Sequence, residues 1–302
     1  MDPRIVVEQV TILAILMAVG YIGGASGILG EAENKSMTKL LTNIALPALI
    51  FSAFNIGYSE ETLRGIILIF ILSFLTHIIA ALIGKFAFIK YPKEKNGVLR
   101  FGNTISNSGC MGIPFVYALF GQEALLYASV FLIPVHMIMW TYGENLLRSE
   151  KESLNIKKII KNPPILAILV GSLIFVLNVN LPRLIMEPVG ILSSTTLPLA
   201  MLILGERVSK LSLGEILRDR DIYYFSLFRL VITPIVVLIS LSFFSIDPLI
   251  KNIVVIMQSL PVAVVIVAIS EKHGADSRLA SKITVVSHIF SVLTIPLVTL
   301  LI

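Results

Sequence analysis

The chain has 302 residues, 56% of them hydrophobic and 14% charged, with a mean hydropathy of +0.91. Globular domains carry about a quarter charged residues, so this composition excludes an ordinary soluble domain and points to an all-α polytopic membrane protein. The net charge of +5 is not a nucleic-acid signature here, because membrane proteins collect Lys and Arg in their cytoplasmic loops. The single cysteine, Cys110, excludes an intramolecular disulfide.

A membrane span needs about 20 apolar residues. Ten segments satisfy the pattern: 5–29, 36–56, 62–89, 98–120, 122–147, 162–181, 187–205, 222–244, 249–270 and 277–302. The first is read as a retained transmembrane helix and not a signal peptide, since Asp2, Arg4 and Glu8 give no positive leader and further spans follow. The second holds LLTNIALPALI (40–50) and the third holds His77. The fourth carries NTISNSGCMGIPF (103–115), an unusually polar run for membrane depth. The fifth opens after Gly121, carries His136 and continues into WTYG (140–143). A charged stretch at 143–164 divides the chain, leaving residues 148–161 as a linker between a 1–147 half and a 162–302 half. The seventh span contains ILSSTTLPLAM (191–201), the eighth Arg229, the ninth QSLPVA (258–263) and the tenth His288.

Charge sets the expected orientation. Of the 24 Lys and Arg, all but Arg4, Arg64, Arg183, Lys251 and the in-span Arg229 fall on one side, in the loops after spans 1, 3, 5, 7 and 9. That side is cytoplasmic, so both termini are expected outside a cell membrane. The two halves also echo each other. Leu46-Pro47 matches Leu197-Pro198, Pro114 in span 4 matches Pro261 in span 9, and His136 falls within one position of His288. Two five-span repeats must be inverted relative to each other because five is odd, and inverted repeats are a hallmark of secondary transporters.

Proline in mid-span removes a hydrogen bond and clashes with the preceding turn, and Gly109 and Gly112 loosen the same region. Such backbone must be buried in protein or line a wet cavity. The expected solution is a pair of broken helices, the fourth and ninth, crossing near the midplane, with half-helix N-termini that attract anions. Asn103 and Asn107 support this reading, since a buried carboxamide needs partners. The expected substrate site comprises Asn103, Asn107, Ser108, Pro114, His136, Gln258, Ser259 and Pro261. For His136 and His288 the alternative is a neutral histidine bridging two helices. Arg229 fits snorkelling as well as pairing with an acid or the substrate.

NTISNSGCMGIPF, followed by GQEALLYASVF and WTYG, resembles the prokaryotic auxin efflux carrier family, relatives of the plant PIN auxin carriers. The fourth span of the plant proteins reads Asn-Thr-x-Pro-Asn-Thr-x-x-Met-Gly-Ile-Pro. Asn103, Thr104, Asn107, Met111, Gly112, Ile113 and Pro114 match it, whereas Ser106 replaces proline and Ser108 replaces threonine. The resemblance implies the fold of the bile-acid:sodium symporters, with spans 1, 2, 6 and 7 as a scaffold. Spans 3–5 and 8–10 would form a transport domain moving as an elevator. It also implies a carboxylate contact for Asn107 and a homodimer. His136 stands where the plant carriers have glutamine, and their long cytoplasmic loop is missing, so indole-acetate itself is not implied.

The resulting expectation is a secondary transporter of a small organic anion, a carboxylate that is auxin-like or a dicarboxylate, with sodium or protons as candidate coupling ions. No cofactor, metal set, nucleotide-binding run or nucleic-acid partner is expected. The alternatives are a sodium-coupled symporter of a larger amphipathic anion, or a non-transporting membrane sensor. An intramembrane enzyme would have only Cys110 near His136 to work with.

Overall fold

The computed structural model describes residues 3–56, 59–148, 161–179, 181–210 and 219–302. Most of the expected linker, with Lys151, Lys157 and Lys158, lies outside these residues, as does Arg218. The first three apolar segments are the helices α1 (Pro3–Ala25), α2 (Glu31–Ala53) and α3 (Glu60–Ala87). The fourth segment is two helices, α4 (Lys93–Thr104) and α5 (Ser108–Phe120). α6 (Gln122–Leu147), α7 (Pro163–Val176), α8 (Arg183–Ser209) and α9 (Arg220–Ser242) follow. The ninth segment is again two helices, α10 (Pro248–Ser259) and α11 (Val265–His273), and α12 (Ser277–Thr299) ends the chain. Among the described residues, seven helices are long and apolar enough to cross a membrane, and none forms a β-strand.

Local chemistry starts these helices where the sequence provides it. Ser59 accepts the Thr62 amide at 3.0 Å ahead of α3, whose first turn carries Glu60 and Glu61 against the helix dipole. Asp247 accepts the Ile250 amide ahead of α10, and Asp276 accepts the Leu279 amide ahead of α12. Each widened turn at 41–45, 108–112 and 228–232 is followed within two residues by a proline, Pro47, Pro114 or Pro234. A proline lacks the amide and crowds the carbonyl four residues back. Widening the turn before it accommodates both defects without breaking the span.

Two groups of helices emerge from the packing. α1 lies along α8, and α2 packs against α7 and α8. α3, α4, α6, α9, α10, α11 and α12 pack among themselves. Gly20 and Gly24 on α1, one turn apart, let the backbones of α1 and α8 touch. A Cβ on Gly205 of α8 would stand 2.0 Å from the Met17 carbonyl oxygen. The outer faces of the first group present Ile15, Ile22, Leu173, Leu184 and Ile191, an apolar surface suited to lipid.

Candidate functional site

The two helix breaks meet. Ile105–Asn107 runs antiparallel to Pro261–Ala263, joined by hydrogen bonds from the Asn107 amide to the Pro261 carbonyl (2.8 Å) and from the Ala263 amide to the Ile105 carbonyl (3.2 Å). This short ladder satisfies backbone groups that lipid could not. It also divides the four half-helix ends into two kinds. α4 and α10 arrive with their C-termini, and α5 and α11 leave with their N-termini.

The C-terminal ends close on Arg229, which is fully buried. Its Nη1 donates to the Asn103 carbonyl at 2.7 Å, Nη2 to the carbonyls of Gln258 (3.0 Å) and Leu260 (2.9 Å), and Nε to Leu260 again at 3.0 Å. Neither snorkelling nor an acid partner is therefore needed to account for this residue.

α12 braces the crossover from the side. Ser287 Oγ accepts the Val262 amide at 3.2 Å. His288 Nδ1 lies 2.7 Å from the Thr284 carbonyl, so it carries the proton and Nε2 is left as an acceptor for Asn107 Nδ2 at 3.0 Å. His288 thus bridges α12 to the break, and the second N–H of Asn107 has no acceptor among the described residues.

The N-terminal ends open into a cavity of about 360 Å³ between the two helix groups, within the range of small-molecule sites. Ser108, Gly109 and Cys110 at the start of α5 line it, as do Val264 and Val265 at the start of α11. The amides of Ser108, Gly109 and Cys110 have no acceptor among the described residues, as the first turn of a helix requires. The walls come from single helix faces: Leu132, His136 and Trp140 on α6, and Ala200, Ile203 and Arg207 on α8. Four lining residues also hold a buried polar atom without a hydrogen-bond partner among the described residues: Ser106 Oγ, His136 Nδ1, Asn162 Oδ1 and Arg207 Nε. A second cavity of about 420 Å³ adjoins the first, sharing Thr38, Arg207 and Ala268, and carries Lys35, Lys39 and Lys210. Beneath it Glu206, almost fully buried, pairs with Lys210 and accepts Asn34 Nδ2.

Sequence comparison identifies the family. The model of a family described as membrane transport protein matches residues 5–159 and 152–299. The chain belongs to this family, the auxin efflux carriers. An uncharacterised transporter of Methanocaldococcus jannaschii is 29% identical over 304 residues, covering 96% of both chains. One of Methanothermobacter thermautotrophicus is 26% identical over 298 residues, again covering 96% of both.

For a member of this transporter family, the expected site residues divide sharply. Asn107, Ser108 and His136 line the cavity. Pro261 supports it from the ladder, and Pro114 sits buried in the first turns of α5. Asn103, Gln258 and Ser259 do not line it. Asn103 donates to the Ala80 carbonyl and accepts from Thr233, Gln258 donates to Thr76 beside His77, and Ser259 returns to the Ile256 carbonyl. The physical reason is position: these three precede their breaks and sit on C-terminal helix ends, on the Arg229 side. Ser106, Asn162 and Arg207 also line the cavity, and no motif in the sequence singles them out. Only the periodicity of Ala200, Ile203 and Arg207, which puts them on one helix face, could have signalled the last.

Proposed function

We propose that this family member is a secondary carrier of a small organic anion, a carboxylate bound in the cavity beside the crossover. The observation that carries the proposal is that both broken helices turn their N-terminal ends toward one mostly apolar cavity that also holds a cation, Arg207. Each helix N-terminus is worth roughly +0.5 of an elementary charge, and their bare amides suit a carboxylate. The free Nδ2 hydrogen of Asn107 donates to one oxygen, the Ser108 hydroxyl and the first amides of α5 complete the cradle, and Arg207 supplies the countercharge. His136 and Trp140 pack along the body of the substrate.

Ten spans in two inverted five-helix repeats account for the paired breaks. α1, α2, α7 and α8 act as the scaffold; α3–α6 and α9–α12 carry the site as a unit. Because the cavity lies between these groups, sliding one along the other moves the substrate across the membrane. With the termini outside, the second cavity, lined by Lys35, Lys39 and Lys210 together with Glu31, Glu206 and Glu271, faces the cytoplasm, and the conformation is inward-open.

Cys110, the single cysteine of the chain, lines the cavity and reports on it directly. A thiol reagent added from the cytoplasmic face of inverted vesicles labels Cys110, and a transported carboxylate slows the labelling. Labelling indifferent to every carboxylate tried would remove the site from the crossover.

A further inference from the structure

Arg229 has a role that anion binding does not use. Among the described residues it heads the largest fully buried side chains, it lies on the far side of the ladder from the cavity, and four hydrogen bonds tie it to three main-chain carbonyls. Those carbonyls belong to the last turn of α4 and to the end of α10, the two half-helices that arrive at the crossover. A helix C-terminus carries roughly −0.5 of an elementary charge, so two of them facing one point present about −1. The guanidinium supplies +1 there, and no carboxylate within ion-pair distance of it is found among the described residues. Half-helix C-terminal ends and unwound carbonyls are where carriers of inverted-repeat architecture coordinate a coupling cation such as sodium.

We propose that Arg229 is the resident cation of the crossover: a positioning residue that occupies, covalently and permanently, the place a diffusible monovalent cation would otherwise fill. Two consequences follow. The carrier needs no sodium to assemble its anion site, because the charge that holds the two ends together never leaves. The register of the ladder also depends on Arg229. The Asn103 carbonyl is four residues before Asn107 and the Leu260 carbonyl is next to Pro261, so the same fork that grips these ends aims the Asn107 carboxamide at the cavity. Neutralising Arg229 vacates a site lined by the Asn103, Gln258 and Leu260 carbonyls. Such a site suits a small planar cation best, since the guanidinium fork is what the carbonyls are spaced for.

The test is thermal denaturation of purified wild-type, Arg229→Ala and Arg229→Lys protein in choline, sodium and methylguanidinium chloride at equal ionic strength. This readout does not depend on which anion is carried, so its failure and that of the carrier reading are separable. The wild-type midpoint is expected to be the same in sodium and choline. Arg229→Ala is expected to melt well below wild type in choline and to recover at least half of the loss in methylguanidinium. Arg229→Lys, with the charge kept and the fork lost, is expected to fall between them and to ignore sodium. Should Arg229→Ala give no folded protein, Arg229→Gln, which keeps much of the volume without the charge, takes its place with the same expected rescue. A wild-type midpoint raised by sodium, a neutral variant as stable as wild type, or a neutral variant that methylguanidinium does not rescue beyond choline would each overturn the proposal.

Discussion

Asn107→Ala separates the hydrogen bond this side chain makes from the substrate contact proposed for it. The substitution leaves the ladder intact, because the Asn107 contribution to it is the main-chain amide on the Pro261 carbonyl. What is lost within the protein is one hydrogen bond to His288 Nε2, whose acceptor is then unpaired in a residue 2% exposed. An unsatisfied buried acceptor costs about 1–3 kcal/mol. The substrate loses more. A hydrogen bond to a charged group is worth about 1.5–3 kcal/mol, a weakening of about 10- to 150-fold in affinity. Equilibrium binding of a labelled carboxylate, measured beside the denaturation midpoint, resolves both effects. The expected result is a folded protein, slightly less stable, whose Kd has risen by at least about tenfold. Unchanged affinity in the folded variant refutes the assignment of Asn107 to the carboxylate.

Three further outcomes are expected. Arg207→Gln reduces the preference for a carboxylate over its neutral amide to the part the two helix N-termini supply, while leaving the weaker binding of the amide unchanged; a preference as large as that of wild type would exclude Arg207 as the countercharge. Gly205→Ala drives a Cβ into the Met17 carbonyl and the Tyr21 amide, so α1 must move away, at about 1–3 kcal/mol of stability; a midpoint equal to wild type would contradict the backbone contact. Where α3 ends and α4 and α9 begin, Asp221 accepts Lys95 at 2.8 Å and the Tyr91 hydroxyl at 3.2 Å. The bond to Asp221 raises the Lys95 pKa, and burial, with Asp221 beside it, raises that of Tyr91 to about 12. Both shifts favour the protonated forms in the fold, so their stabilisation is complete below the ordinary values of 10.5 and 10.0 and is lost as pH rises through the raised ones. Lys95 is 42% exposed, which holds its pair to under about 1 kcal/mol. Asp221→Asn should therefore be less stable than wild type at neutral pH, with the gap closing in strong alkali; a gap that widens with pH has the wrong sign.

The apolar segments were legible because a span is a length of hydrocarbon, and nothing in this chain competes with that signal. The breaks at 105–107 and 260–264 were legible for the opposite reason: polar residues and a proline at membrane depth have few other uses. Which side of a break each polar residue serves was not legible. Asn103 and Asn107 are four residues apart in one polar run, yet the first ends a helix beside Arg229 and the second begins a helix at the cavity. Gln258 and Ser259 look like counterparts of Asn107, but they precede their break and so correspond in role to Asn103. The second break has only Val262, Ala263, Val264 and Val265 after it, so its contribution to the cavity is bare backbone and apolar surface, which hydropathy cannot distinguish from core. Arg207 reads as one more loop cation until α8 is seen to bring it down onto the cavity. Arg229 has no sequence signal at all for its carbonyl partners, which lie 29 to 126 positions away.

Flux decides whether this protein moves a carboxylate across a membrane. Wild-type protein and Asn107→Ala, reconstituted separately into liposomes, are loaded with unlabelled mono- or dicarboxylate and offered the same compound labelled outside. Saturable counterflow of at least one carboxylate is expected through wild type, with its loss in the variant. Binding without counterflow for every carboxylate, or equal counterflow through both proteins, would contradict it.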